Sequence, residues 1–194
     1  MSQLIRKHSF NEVFDSQGVF RKVLEALSNP SRVVNIRTYA DKLFGDYPGM
    51  LALAITLLDN EVSFNACEND ELTDEIVSLT LSRREKLSEA DFIFVCNPDD
   101  LPDAMASIKS GTLANPHKSA TVIIHNDDQD IGEMILVGPG IKGKQRVFAS
   151  MLIKHAMLLR NQQSFEYPQG IDLFFLSTDG ELIGIPRLVR WEVS

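Results

Sequence analysis

Cysteine is scarce in this chain of 194 residues: Cys67 and Cys96 stand far apart, each near the end of an apolar, strand-like run. Two such residues cannot build a disulfide framework, a CxxC redox pair or a zinc set, and they read as buried free thiols. Long hydrophobic runs are missing as well. The longest, Met50 to Leu58, is about half of what a membrane-spanning helix requires and contains Thr56. The N-terminal stretch Met1 to His8 is polar and then basic with no apolar segment behind it, so no signal peptide is expected and the chain reads as cytoplasmic. Nor is there a basic excess, since 27 acids against 19 bases leave a formal charge of −8. That balance excludes a nucleic-acid backbone and an anionic membrane surface as default partners, because both are held by basic surfaces. An anionic ligand would need a local basic cluster set against the field of the whole molecule. The four histidines, His8, His117, His125 and His155, fall in no metal-ligand spacing, so no metal is expected and they read as solvated or structural. There is no Gly-x-Ser-x-Gly elbow, and neither cysteine lies in a nucleophile motif.

What the chain does have is a globular composition, 44% hydrophobic and 24% charged, with no linker or internal repeat. One domain over residues 1–194 is expected, with about 1–15 as a less ordered N-terminal arm and His8 in that tail. Val19, Phe20, Val23, Leu24 and Leu27 recur at helical spacing, with Asp15 or Ser16 as cap and Pro30 closing the end. Arg32 to Arg37 reads as a strand, Met50 to Leu58 as a buried helix opened by Pro48-Gly49, and Val62 to Cys67 as a strand. Glu71 to Leu81 reads as an amphipathic helix, Asp91 to Cys96 as a covered strand and Asp103 to Lys109 as a short helix. Strands follow at Ala120 to His125 and Glu133 to Val137, then a helix over Phe148 to Leu159. A hairpin of Ile171 to Leu176 and Glu181 to Ile185 turns at Asp179-Gly180. The fold class is α/β, a mixed β-sheet covered by helices.

Three segments carry possible chemistry. Gly138-Pro-Gly-Ile-Lys-Gly-Lys144 formally satisfies Gly-x4-Gly-Lys and is expected to follow a strand and precede a helix. Gln145 stands where a P-loop needs a hydroxyl for magnesium, and Pro139 removes a backbone donor, which disfavours an ATPase loop. Lys142, Lys144 and Arg146 near a helix N-terminus could hold an anion, and a solvated basic loop fits equally well. The acids Glu68, Asp70, Glu71, Asp74 and Glu75 lack an EF-hand loop and read as a solvated helix face. Asp172 opens an apolar strand and needs a partner, which Arg187 across the hairpin could supply. Spacing alone leaves open a buried Asp–Arg brace and an arginine held rigid by aspartate to grip a phosphate or phosphonate.

Taken together, the ordered segments resemble the PhnH family, a subunit of the bacterial carbon–phosphorus lyase system. The resemblance rests on Phe20-Arg21 through Ala26 to Pro30, the apolar helix running into Leu58-Asp59-Asn60, and Gly111 with Pro116 and Ala120-Thr121. It rests further on Gly138-Pro-Gly-Ile141 and on Tyr167-Pro-Gln-Gly-Ile-Asp-Leu173 with Ile185-Pro-Arg187. The chain departs from the family pattern at Ser31 for glycine, Tyr167 for phenylalanine and Leu188 for threonine. The resemblance implies a fold similar to the large domain of pyridoxal-phosphate-dependent transferases without the cofactor's binding residues, and hence no cofactor. It also implies a homodimer when alone and a place in a core complex with PhnG, PhnI and PhnJ. That complex forms ribose 1-alkylphosphonate 5-triphosphate from phosphonate and nucleoside triphosphate, with no independent activity assigned to this subunit. The alternative is an anionic-ligand or catalytic site of its own at a dimer interface. Arg21, Asp59, Asp172 and Arg187 are its candidate residues, with Gly138 and Gly140 shaping it.

Overall fold

A computed structural model describes residues 8–30, 32–163 and 165–192. Its ten strands are β1 (Val34–Asn35), β2 (Ser63–Asn65), β3 (Arg83–Arg84), β4 (Phe92–Val95), β5 (Thr121–His125), β6 (Ile131–Val137), β7 (Lys144–Ser150), β8 (Asp172–Leu176), β9 (Glu181–Ile185) and β10 (Arg190–Trp191). The helices are α1 (Phe14–Ser28), α2 (Arg37–Ala40), α3 (Pro48–Leu57), α4 (Asp70–Thr80), α5 (Leu101–Ser107) and α6 (Met151–Gln162). Seven strands form one sheet in the order β1-β9-β8-β5-β4-β2-β3. The ladders from β3 to β8 are parallel, and β9 runs against both its neighbours, so the sheet is mixed. A smaller antiparallel sheet has the order β10-β6-β7.

The period-2 alternation of the central strands divides the interior into two cores. Phe64, Phe94, Ile123 and Phe174 point to the face covered by α1, α3 and α4. Ile93, Val95, Val122, Ile124, Leu173 and Phe175 point to the other face, under α5, α6 and the small sheet. Helix α3 is buried along Met50–Ala54, as its nearly continuous apolar run predicts. Helix α4 is capped by Asn69, whose side chain accepts from Leu72 N at 2.9 Å, with Asp70 and Glu71 in its first turn suiting the dipole.

The structure differs from the sequence reading in places that matter for the site. Helix α1 starts at Phe14, and its cap is neither Asp15 nor Ser16. The Asn11 carboxamide oxygen accepts from Val13 N and Phe14 N at 3.0 and 2.9 Å. Asp15 instead lies in the first turn, accepting from Asn11 N at 2.7 Å and from Lys42 at 2.6 Å. These contacts hold its carboxyl below the ordinary value. His8 accepts from Phe44 N at 3.1 Å and its ring lies on that of Phe44, while residues 1–7 of the expected arm lie outside the described residues. The first expected strand shrinks to β1, because Arg37 leaves it to begin α2 and to reach Asp179 at 2.7 Å.

The largest correction is β7. Residues 144–150, read as basic loop and helix start, form a strand paired with β6 from Val137↔Lys144 to Ile131↔Ser150. The helix begins only at Met151, capped by Ser150, whose hydroxyl accepts from Ile153 N at 3.2 Å. Phe148 suggested a helical apolar face, yet it lies in β7 and is 74% exposed.

Candidate functional site

Gly138–Gly143 is therefore the turn of a β-hairpin and does not precede a helix, so the phosphate-loop geometry is absent there. Two of the three basic residues of that cluster are partnered as well. Lys144 meets Glu192 at 2.6 Å and Arg146 meets Glu133 at 2.7 Å, which overturns the helix-terminal anion site. Gly138 has a structural reason of its own. At φ 137°, a Cβ there would stand 2.7 Å from the Leu188 carbonyl, so glycine lets the turn press onto the Leu188–Val189 segment. Gly140 packs instead on Pro30 and the Ser28 carbonyl at the end of α1.

Asp172 and Arg187 do meet. Leu173 pairs with Ile185 in the β8–β9 ladder, which sets Asp172 beside the residues that follow β9. The Asp172 carboxylate accepts from Arg187 N at 2.7 Å, from Nε at 3.2 and 3.3 Å, and from Nη2 at 2.5 Å. Arg187 Nη1 donates to the Pro116 carbonyl at 2.7 Å. The pair is four-fifths buried, with side-chain exposures of 18% and 22%. One guanidinium thus ties β8, the chain after β9 and the turn at Pro116 together, which is a brace. Arg21 and Asp59 lie elsewhere. Arg21 is exposed on α1, on the sheet face opposite α6, and Asp59 is exposed after α3, where its carboxylate accepts from Glu61 N at 2.8 Å.

Sequence reasoning missed Arg160. It sits on α6, 3% exposed, and donates only to main-chain carbonyls: Ile171, Ile185 and Pro186 at 3.3 Å, and Val189. Burial lowers its pKa to about 10, against the opposing influence of nearby Asp172. Its signal in the sequence was a basic residue on the inward side of a helix with Ile153, Ala156 and Met157, blurred by the misplaced helix start. Arg160, Arg187 and Arg190 line a cavity of about 500 Å³, with Tyr167 and Trp191 among its other lining residues. Among the described residues, no carboxylate lines it.

His125, Asp127 and the two cysteines are partnered or poorly reactive. His125 meets Asp127 at 3.0 Å and lies edge-on to Tyr47. Burial alone would raise the Asp127 pKa, but hydrogen bonds from Thr178 and the nearby His125 lower it overall. Both thiols are pushed up to about 12 by burial, which keeps them protonated and weakly nucleophilic. Among the described residues, no group of three or more His, Cys, Asp or Glu could hold a metal ion, and no helix is long and apolar enough to cross a membrane.

The sequence profile of the PhnH family, described as "Bacterial phosphonate metabolism protein (PhnH)", matches residues 8–192. A relative from Stutzerimonas stutzeri, named "Putative C-P lyase subunit protein HtxG", is 26% identical over 172 residues. That match spans 88% of this chain and 83% of the relative. With the profile covering nearly the whole length, the hairpin and its Asp172–Arg187 brace fall inside the matched region, and the chain belongs to the PhnH family of bacterial phosphonate metabolism proteins.

Proposed function

We propose that this chain is a non-catalytic subunit of a carbon–phosphorus lyase core complex, assembling with PhnG, PhnI and PhnJ. There it supports formation of ribose 1-alkylphosphonate 5-triphosphate from a phosphonate and a nucleoside triphosphate, and it is a homodimer when alone. The observation that carries this reading is the family match over residues 8–192, joined by a relative named as a C–P lyase subunit. The chemistry of the interior favours a non-catalytic role. Arg187 is engaged by Asp172 and Pro116, Arg160 by main-chain carbonyls, and the two thiols are held protonated. The resemblance to the large domain of pyridoxal-phosphate-dependent transferases is supported by the mixed seven-stranded sheet with helices on both faces.

Deletion of the gene should abolish growth on an alkylphosphonate as sole phosphorus source while growth on inorganic phosphate continues, and the intact gene should restore it. Unimpaired phosphonate growth of the deletion strain would overturn the proposal. A second reading, an anionic small-molecule site on this chain itself, is favoured by one observation: among the described residues, three arginines and no acid line the cavity beside the brace.

A further inference from the structure

We propose that the cavity between the C-terminal half of α6 and the Arg187–Trp191 segment binds a nucleoside phosphate, with Arg190 on the phosphate and Trp191 against the base. This takes the anionic-ligand reading to a defined site and ligand class and rests on it. Whether the chain assembles with other subunits is a separate matter.

Charge points there first. In a chain of formal charge −8, Arg160, Arg187 and Arg190 line the same cavity with no acid among its described walls. Asp172 offsets one of the three by direct contact. Arg160 adds a buried positive charge that no carboxylate touches; a guanidinium satisfied only by carbonyl dipoles still raises the potential in the space beside it. Arg190 is held by its main chain in the β10–β6 ladder, while its exposed guanidinium has no hydrogen bond or ion pair to another described residue and is placed to take an oxyanion in bidentate fashion.

Shape and the neutral walls select the rest of the ligand. A volume of about 500 Å³ is far more than a lone phosphate fills and falls within the usual range for small-molecule sites. Trp191, packed against the core, and the exposed Tyr167 put two aromatic residues among the walls, the residue type on which a base stacks. Gln163 and Gln169 also line the cavity, and their amide nitrogens already donate to the Met105 and Gly111 carbonyls. Each amide keeps its acceptor oxygen and a second N–H, a donor–acceptor pair that suits the polar edge of a base.

Trp191 is the sole tryptophan, so the site carries its own reporter. The purified full-length chain is titrated with AMP, adenosine and inorganic phosphate, with Trp191 emission followed and calorimetry alongside. The proposal expects a saturable change with AMP, and adenosine and phosphate each at least about tenfold weaker. Arg190→Ala should weaken AMP binding by about tenfold or more with circular dichroism and melting temperature unchanged, since the ladder contact to Val137 is main-chain and the Arg190 side chain bonds to no other described residue. No saturable change at millimolar AMP, unaltered AMP binding in Arg190→Ala, or phosphate binding as tightly as AMP would each overturn it. The titration uses the isolated chain, so failure to assemble with C–P lyase subunits would leave its result standing.

Discussion

Arg187 donates to Asp172 through its main chain, Nε and Nη2, and to Pro116 through Nη1, so removing it strands a carboxylate and a carbonyl in a mostly buried place. Arg187→Ala should therefore lower unfolding free energy by about 2–4 kcal/mol in urea titrations, and Arg187→Lys should recover little, because an ammonium cannot span both acceptors. A stability loss within about 0.5 kcal/mol would contradict the brace and reopen a binding role for this side chain. The cysteines give a second test at this scale. With both thiols pushed up to about 12, neither should be alkylated by iodoacetamide near pH 8 in the folded chain, and both should react once it is denatured. Cys96 is buried as expected and Cys67 is only half-buried, so rapid labelling of the folded protein at either position would contradict the suppressed thiolate rather than burial alone.

Among the elements, the β6–β7 hairpin links the glycine turn to the cavity wall. Gly138→Ala must place a methyl 2.7 Å from the Leu188 carbonyl at φ 137°, so it should cost about 1–3 kcal/mol and shift Trp191 emission through the displaced segment. An unperturbed melting curve and spectrum would show that the turn does not press on that segment. This hairpin also shows where the sequence was legible and where it was not. The central strands were readable because Val122, Ile123 and Ile124 form an unbroken β-branched run fit for a covered sheet. Helix α3 was readable from a long apolar stretch behind Pro48. Strand β7 was not, because its inward residues Val147 and Ala149 alternate weakly while the exposed Phe148 mimics a helical apolar face. Asp172 and Arg187 were paired by counting along a hairpin with a clear Asp-Gly turn, a local signal. Arg160 depends on carbonyls from Ile171, Ile185, Pro186 and Val189, partners distant in sequence that no local pattern announces.

For the whole molecule, charge sets its acid response. Asp15, Asp91 and Asp127 are each held below the ordinary 3.8 in the folded chain. For Asp91, burial works upward, but bonds from Lys109 and Ser63 more than offset it. A carboxylate lowered on folding gives its full stabilisation above its unfolded value and loses it as the pH falls through the folded one. These groups should leave urea midpoints level from about pH 7 to about 5 and reduce them below about 4, with Asp91→Asn flattening the decline. A wild-type midpoint unchanged down to about pH 3 would contradict these ion pairs. The central claim is assembly, and affinity purification of this chain co-expressed with PhnG, PhnI and PhnJ tests it most directly. The account predicts that all three are retained together through size-exclusion chromatography in a single complex; recovery of this chain free of all three would contradict it.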